Sequence, residues 1–259
     1  MKGVLLSLFI LFLSGCGMKK FAVEHADFFI YHETSKRLPV SSSQKKEFYG
    51  HIKTFLNESK TLAIELLSIL DNIQLKEEAN LEKNYERLEL LYLRIIKDFT
   101  KIIVKQTLQL DPKQQIIFLE KIKDDNKKIL SKTKDEKIKS VEKKLKNMIG
   151  SLQENQTKII SEFSDYFHER DEKRAQRRMI LYQNLKEIFA KNSPPDLKKE
   201  RIQKCFEEFQ SQMLTGNRNL ELIKKLSQTL TEKQMTHFTH SLEEIKEILL
   251  LYHKAQYSD

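Results

Sequence analysis

The sequence Leu230-Thr231-Glu232-Lys233-Gln234 is the clearest copy of a short unit that occurs four times in the chain. Every copy has an apolar residue four positions before a glutamine and another four positions after it. Three copies also carry Ser, Asp or Thr three positions before the glutamine, which is the spacing of a capping box at a helix start. We therefore predict a helix start at each copy and a structural role for its glutamine. The four glutamines are Gln44, Gln114, Gln156 and Gln234.

The first fifteen residues have the features of a secretory signal peptide. Lys2 precedes an apolar run from Val4 to Leu13, which is too short to span a bilayer. The following Leu13-Ser14-Gly15-Cys16 resembles the lipobox of bacterial lipoproteins. The resemblance implies cleavage before Cys16, acylation of its thiol and its new amino group, and a lipidated N-terminus at residues 16–18. The alternative is an ordinary signal peptide followed by an incidental cysteine.

Lipidation would place the mature protein in the bacterial cell envelope. Several acyl chains give stable membrane attachment where a single chain is marginal. Gly17 rather than Asp follows Cys16, which in many double-membrane bacteria points to the outer membrane, with the protein facing the periplasm.

Composition indicates an all-α protein. The chain has six Gly, four Pro and no Trp, and 32% of its residues are charged while 39% are hydrophobic. Helical spacing of apolar residues predicts an elongated bundle of about seven or eight helices over residues 19–259. The segment 192–196, which contains Pro194 and Pro195, is a possible boundary between two parts, either a hinge or a tight turn. A polar stretch between Lys123 and Lys137 is either a solvated overhang of one long helix or a break in it.

The order of these features resembles a family of proteobacterial lipoproteins known only as a domain of unknown function. The resemblance rests on the lipobox, on Ala26-Asp27 within an aromatic helix, on the stretches 110–126 and 148–156, and on Arg177-Arg178. The family has tryptophans where this chain has Phe28, Phe29 and Tyr31.

The Leu-Thr-x-x-Gln unit is also similar to the signature of periplasmic chaperones of the Spy and CpxP type. Those proteins are helical, curved and basic, and they bind unfolded envelope proteins. This resemblance implies a holdase-like role, although the copies here lie far apart and the chain is longer. The alternative is that the unit marks helix starts and carries no common function.

The sequence contains no signature of an enzyme. It lacks a Gly-rich phosphate loop, a Gly-x-Ser-x-Gly elbow and a His-Glu-x-x-His pair. Adjacent carboxylates such as Asp124-Asp125 diverge on a helix, so we expect them to be solvated. Cys205 lies on an apolar helix face and is expected to be buried rather than reactive. We predict a protein that is not an enzyme and needs no cofactor.

One group of residues could bind a metal ion. His237, His240 and Glu244 share one stripe of a predicted helix, and imidazole with carboxylate suits a divalent cation. Exposed or hydrogen-bonded histidines explain the same pattern, so these residues are weak candidates and no metal site is predicted.

The net charge of +9 predicts anionic partners. Arg174, Arg177 and Arg178 are the most interesting basic residues, because arginines concentrated on one helix suit the recognition of carboxylate or phosphate groups. A solvated basic face is the plainer alternative. Expected partners are the bilayer, through acylated Cys16, and envelope proteins, anionic envelope polymers or lipid headgroups. Nucleic acid is not expected for an exported lipoprotein.

These observations predict a membrane-anchored envelope lipoprotein that acts as a binding or holdase-like protein and not by catalysis. The alternatives are a metal-responsive envelope sensor that uses His237, His240 and Glu244, and a cell-wall scaffolding protein.

Overall fold

A computed structural model describes residues 16–191, 193–211 and 218–257, which form α-helices joined by short turns and include no strand. This confirms the all-α prediction. The predicted signal peptide, residues 1–15, lies outside the described residues. No helix in the described part of the chain is long and apolar enough to cross a membrane. The helices are α1 Cys16–Glu24, α2 Ala26–Ser35, α3 Ser42–Glu58, α4 Lys60–Asp71, α5 Glu78–Leu108, α6 Pro112–Leu130, α7 Lys134–Ile149, α8 Glu154–Glu162, α9 Ser164–Ala190, α10 Pro195–Ser211, α11 Arg218–Ser227 and α12 Glu232–Lys254.

The described residues contain twelve helices, so the prediction of seven or eight was too low. Four of the predicted helices are each interrupted once, at His25, at Ser59, at residues 131–133 and at Phe163. At Ser59 and Phe163 a single residue with ψ of 2° and 8° breaks the helix. Such a break requires neither Gly nor Pro, and the apolar spacing continues across it. The polar stretch after Lys123 contains the break at 131–133.

Three apolar clusters form the core. The largest joins α2, α3, α5, α6, α9 and α10, a second joins α8, α9 and α11, and a third joins α4 to α12. The largest cluster includes Ile188 before Pro194-Pro195 and Ile202 after it. Helices α9 and α10, which flank this segment, pack against each other.

Each of the four repeated units starts a helix, namely α3, α6, α8 and α12. In every unit the side-chain Oε1 of the glutamine accepts a hydrogen bond from the backbone N–H three residues earlier, which completes half of a capping box. The α8 unit has Gln153 where the others have a short oxygen-bearing side chain, and Gln153 makes no side-chain cap. The N···O distances are 2.9 Å for Ser41 and Gln44, 2.9 Å for Asp111 and Gln114, 3.0 Å for Gln153 and Gln156, and 3.1 Å for Thr231 and Gln234.

The four glutamines form two pairs that the sequence did not predict. Gln114 Nε2 donates to Gln44 Oε1 at 2.8 Å, although the two residues lie 70 positions apart. Gln156 and Gln234, 78 positions apart, donate to each other at 2.9 Å and 2.8 Å. Each pair therefore joins the starts of two helices, α3 with α6 and α8 with α12.

Each glutamine amide also donates to a backbone carbonyl five residues before its partner glutamine. The four acceptors are Gln109, Pro39, Thr229 and Ser151, in the order of the donors Gln44, Gln114, Gln156 and Gln234. Gln156 is fully buried, and both its Oε1 and its Nε2 have partners. The units thus hold helix starts together, in line with their predicted structural role.

Candidate anion-binding site

The three arginines singled out in the sequence lie on α9, and they face inward. Arg177 and Arg178 are each only 9% exposed, and Arg174 is partly buried. Ala175 and Leu181 of the same helix are buried with them, because α9 packs against α6, α7 and α10. A solvated basic face, the plainer alternative, does not describe Arg177 or Arg178.

Two carboxylates, those of Asp125 and Asp171, lie near the arginines, and the cationic side chains around them outnumber them. Asp125 Oδ2 on α6 lies 2.9 Å from Arg37 Nε and 4.0 Å from Arg178 Nη1. Asp125 was expected to be solvated, but it accepts this hydrogen bond from Arg37 and is only partly exposed.

The second carboxylate belongs to Asp171 on α9. Its Oδ2 lies 3.8 Å from Lys137 Nζ, and its Oδ1 lies 4.0 Å from Arg170 Nε. Arg174 lies near the same groups: besides burial, which lowers its pKa, the charge of Asp171 raises the pKa and the charges of Arg170 and Arg37 lower it. Five cationic side chains therefore share two carboxylates in this part of the described structure.

The pKa values of the three arginines on α9 are lowered, mainly by burial. Burial lowers the pKa of Arg178 to about 10, Arg174 adds repulsion, and Asp125 acts in the opposite direction. Burial also lowers the pKa of Arg174 and of Arg177. A guanidinium with a pKa near this value remains charged at neutral pH, and Arg178 shares the single carboxylate of Asp125 with Arg37, so the two guanidiniums favour the approach of an anion.

Three buried polar atoms around this cluster have no hydrogen-bond partner among the described residues. They are Arg37 Nη1, Tyr92 Oη and Asn126 Oδ1. Asn126 uses its other side-chain atom, Nδ2, to donate to the carbonyl of Ala175 at 2.9 Å, which ties α6 to α9. Tyr92 on α5 lies near Arg174: burial raises the pKa of Tyr92, and the positive charge of Arg174 opposes that rise. Since buried polar groups are nearly always satisfied in native proteins, these atoms mark a place for a ligand or ordered water.

An apolar cavity of about 110 Å³ opens beside the cluster. Arg37, Lys121 and Arg178 supply positive charge to its lining, with Asp125 as the carboxylate among them. The rest of the lining is largely apolar and includes four phenylalanines from three helices. They are Phe99, Phe118, Phe206 and Phe209. The cavity therefore joins a cationic end to an apolar wall.

A second cavity, of about 160 Å³, lies beneath α1 and α2 against α4 and α12. Its lining is almost wholly apolar, and Ser59 and Tyr252 carry its only side-chain hydroxyls. Those two hydroxyls are hydrogen-bonded to each other, with 2.8 Å between Ser59 Oγ and Tyr252 Oη. The side chains of this lining therefore offer no charged or unpartnered group that could orient a ligand. Of these two cavities, the first is the one whose lining includes charged side chains.

The weak metal candidates on α12 are only partly brought together. His240 Nε2 lies 3.9 Å from Glu244 Oε1, but the same oxygen lies 3.2 Å from Lys19 Nζ. The ring of His237 packs against Gly150, a glycine whose φ of 78° suits the end of α7. The described side chains include no group of three His, Cys, Asp or Glu that could hold a metal ion.

The two cysteines have different positions in the chain. Cys16 is the first residue of α1, and the side chains that the structure describes begin at Lys19. Its lipidation stays a prediction. Cys205 is 8% exposed in the largest core cluster, as expected, and burial raises the pKa of its thiol.

Comparisons with known proteins give no relative from which a function could be transferred. No family model, no curated protein and no solved structure matches the chain. The candidate site therefore rests on its own geometry. Sequence reasoning found Arg174, Arg177 and Arg178 from their density on one helix. It missed Arg37 and Tyr92, because only the fold brings Arg37, just after α2, and Tyr92, on α5, close to the arginines of α9.

Proposed function

We propose that the protein is a membrane-anchored, non-enzymatic binding protein of the bacterial envelope whose ligand carries an anionic group next to a short apolar chain. The observation that supports this most directly is the shared carboxylate of Asp125. It lies between Arg37 and Arg178 at the cationic end of an apolar cavity.

The charge balance favours a carboxylate or phosphate as the anionic group. Guanidinium groups match these oxyanions with planar, paired donors. An incoming anion would offset the repulsion between Arg174 and Arg178 and could accept from Arg37 Nη1, the buried donor without a partner. Charge-assisted hydrogen bonds of this kind are about twice as strong as neutral ones.

The cavity limits the apolar part of the ligand. An engineered cavity of about 150 Å³ in another protein accommodates benzene, and the cavity here measures about 110 Å³. It therefore fits a few methylene groups or a small branched side chain, and a longer chain would extend from its mouth. Short-chain carboxylates, phosphate esters and apolar C-terminal peptide residues share this chemistry.

The proposed location rests on the sequence Leu13-Ser14-Gly15-Cys16. A lipid anchor at Cys16 would hold the site close to a membrane surface, where anionic amphiphiles are concentrated. The test of the anchor is Cys16→Ser, which should abolish metabolic labelling with a fatty-acid analogue. Continued labelling of this variant would contradict the anchor, whatever the outcome for the ligand site.

Isothermal titration calorimetry tests the ligand site. Hexanoate and hexyl phosphate should bind, whereas acetate, which lacks the chain, and hexanol, which lacks the charge, should bind more weakly. Arg178→Gln should weaken hexanoate by at least about tenfold, the value of one charge-assisted hydrogen bond. Arg201→Gln, at an exposed position of α10, is the matched control and should bind as the wild type does.

Two results would contradict the proposed site. One is equal binding of hexanol and hexanoate, and the other is unchanged affinity in Arg178→Gln. An N-acetylated peptide ending in leucine separates a peptide ligand from a lipid-like one in the same titration. A holdase would instead suppress the aggregation of an unfolded client protein equally well as the wild type and as the Arg178→Gln variant.

A further inference from the structure

The first two helices carry aromatic rings on their outward face. Phe21, His25, Phe28 and His32 recur at intervals of three and four residues, so they lie on one side of α1 and α2. All four are exposed, and the exposed fractions of Phe21 and Phe28 are 55% and 51%. We call these four residues the aromatic stripe. Large exposed apolar groups in a continuous row mark an interaction surface.

The rings of the aromatic stripe also pack against one another. The ring centroids of Phe21 and His25 are 4.4 Å apart. Those of Phe28 and His32 are 6.0 Å apart, with the ring planes only 7° from parallel. The stripe thus consists of two ring pairs, both of which contact the ring of Phe29 between them, and its imidazoles add polar tips to apolar bodies.

The opposite face of α1 and α2 fixes the stripe to the body of the protein. Lys19 is buried and its Nζ lies 3.2 Å from carboxylate oxygens of both Glu244 and Glu247 on α12. The hydroxyl of Tyr257 donates to the carbonyl of Val23 at 2.8 Å. The direction in which the stripe points is therefore tied to the orientation of the whole helical domain.

We propose that the aromatic stripe lies in the interface of a lipid bilayer and sets the orientation of the domain on the membrane. The inference rests on the proposed membrane attachment, because that attachment brings the bilayer to α1. The apolar run Val4 to Leu13 ends just before Cys16, the first residue of α1. Phe21 follows five residues later, a distance of about 7.5 Å along a helix.

The chemistry of the stripe and its flank fits this partner. Tryptophan and tyrosine are the residues enriched at the level of the headgroups, and phenylalanine is typical of the buried face of interfacial helices. Lys20, whose side chain is 70% exposed, stands beside the stripe; its Nζ lies 3.7 Å from Glu24 Oε1, and this surface pair leaves it accessible to anionic headgroups. A second copy of the chain is the other possible occupant, and the experiment below distinguishes it.

Tryptophan fluorescence tests the stripe, since the natural chain contains no tryptophan. Full-length Phe21→Trp and Phe28→Trp proteins are reconstituted in vesicles that contain bromine-labelled phosphatidylcholine, which quenches only tryptophan within the bilayer. Ile116→Trp is the matched control, because Ile116 is 64% exposed on α6. We expect loss of most of the emission at positions 21 and 28 and none at position 116.

Flotation of the vesicles separates this inference from the proposed anchor. If the protein floats and positions 21 and 28 are no more quenched than position 116, the stripe does not touch the bilayer and the inference is wrong. Emission that shifts to the blue without bromine quenching would indicate a second copy of the chain instead. If the protein does not float with the vesicles, the proposed lipid anchor at Cys16 is wrong. The variants are then attached through an N-terminal polyhistidine tag to chelator lipids, and the same quenching comparison decides.

Discussion

The two glutamine pairs and the arginine cluster both place polar side chains inside the helical body, yet they differ in how fully those groups are satisfied. Gln156 Oε1 accepts from the backbone of Gln153, and its Nε2 donates to Thr229 and to Gln234. In the arginine cluster Arg37 Nη1 has no partner among the described residues, and Arg178 shares its carboxylate. The polar atoms of the Gln156 side chain are thus fully hydrogen-bonded, whereas the arginine cluster can still bind a further group.

This difference separates a structural role from a binding role. A fully satisfied polar network stabilises one arrangement of helices and has no capacity left for a ligand. A cluster with surplus charge and an unpartnered donor loses stability as it stands and gains stability when an anion arrives. Substitutions in the two regions should therefore have opposite profiles, with large effects on folding in one and large effects on binding in the other.

The largest effect on folding is expected for Gln156→Ala. The change removes the shared hydrogen bonds and leaves buried partners of Gln156 unsatisfied, so the free energy of unfolding should fall by about 3 kcal/mol. Urea unfolding followed by circular dichroism measures this. Gln44→Ala, at the less buried equivalent in the other pair, should cost less.

Gln203→Ala is the control for that experiment, because Gln203 is exposed on α10 and bonds only to Glu207 in the same helix. Its unfolding free energy should stay within about 0.5 kcal/mol of the wild type. A loss from Gln156→Ala as small as that from Gln203→Ala would refute the structural role of the pairs.

A smaller decrease in the free energy of unfolding is expected for Asp125→Asn. This change removes the carboxylate that Arg37 and Arg178 share and leaves their charges facing each other. Breaking a buried ion pair costs 3–5 kcal/mol, and the partial exposure of Asp125 reduces this to about 2 kcal/mol. The neighbouring Asp124→Asn is the matched control, since Asp124 is exposed. Equal stability of the two variants would show that Asp125 does not hold the arginines together.

The smallest effect on folding is expected for Arg178→Met. Asp125 keeps its closer partner Arg37, at 2.9 Å, when Arg178 at 4.0 Å is replaced, and the buried guanidinium no longer has to be desolvated, so the unfolding free energy should change by less than about 1 kcal/mol. The same variant should lose affinity for hexanoate. A loss of stability as large as that of Gln156→Ala would mean that Arg178 is a structural residue, and the contrast between the two regions would be wrong.

Local patterns made the helix starts predictable. Ser41 with Gln44 and Thr231 with Gln234 are three residues apart, so the capping geometry depends on one turn of chain. The pairing of Gln44 with Gln114 depends on two segments 70 residues apart and has no local signal. The breaks at Ser59 and Phe163 were missed for a related reason, because backbone geometry changes there while the apolar spacing continues.

The arginine cluster was only half visible in the sequence. Arg174, Arg177 and Arg178 stand out as a group, but charge alone does not tell which face of α9 is inward. A useful signal was the apolar spacing of α9, which is sparse between Phe167 and Ile180 and resumes after it. Polar residues that occupy expected core positions indicate a site.

The central claim is that the cationic end and the apolar wall of the first cavity together bind one ligand. A crystal structure of the protein with ω-bromohexanoate tests this directly, because the bromine gives an anomalous signal. We expect bromine density between Phe99, Phe118 and Phe206, with the carboxylate within hydrogen-bond distance of Arg37 or Arg178. An empty cavity at saturating ligand, or bromine density only elsewhere on the molecule, would contradict it.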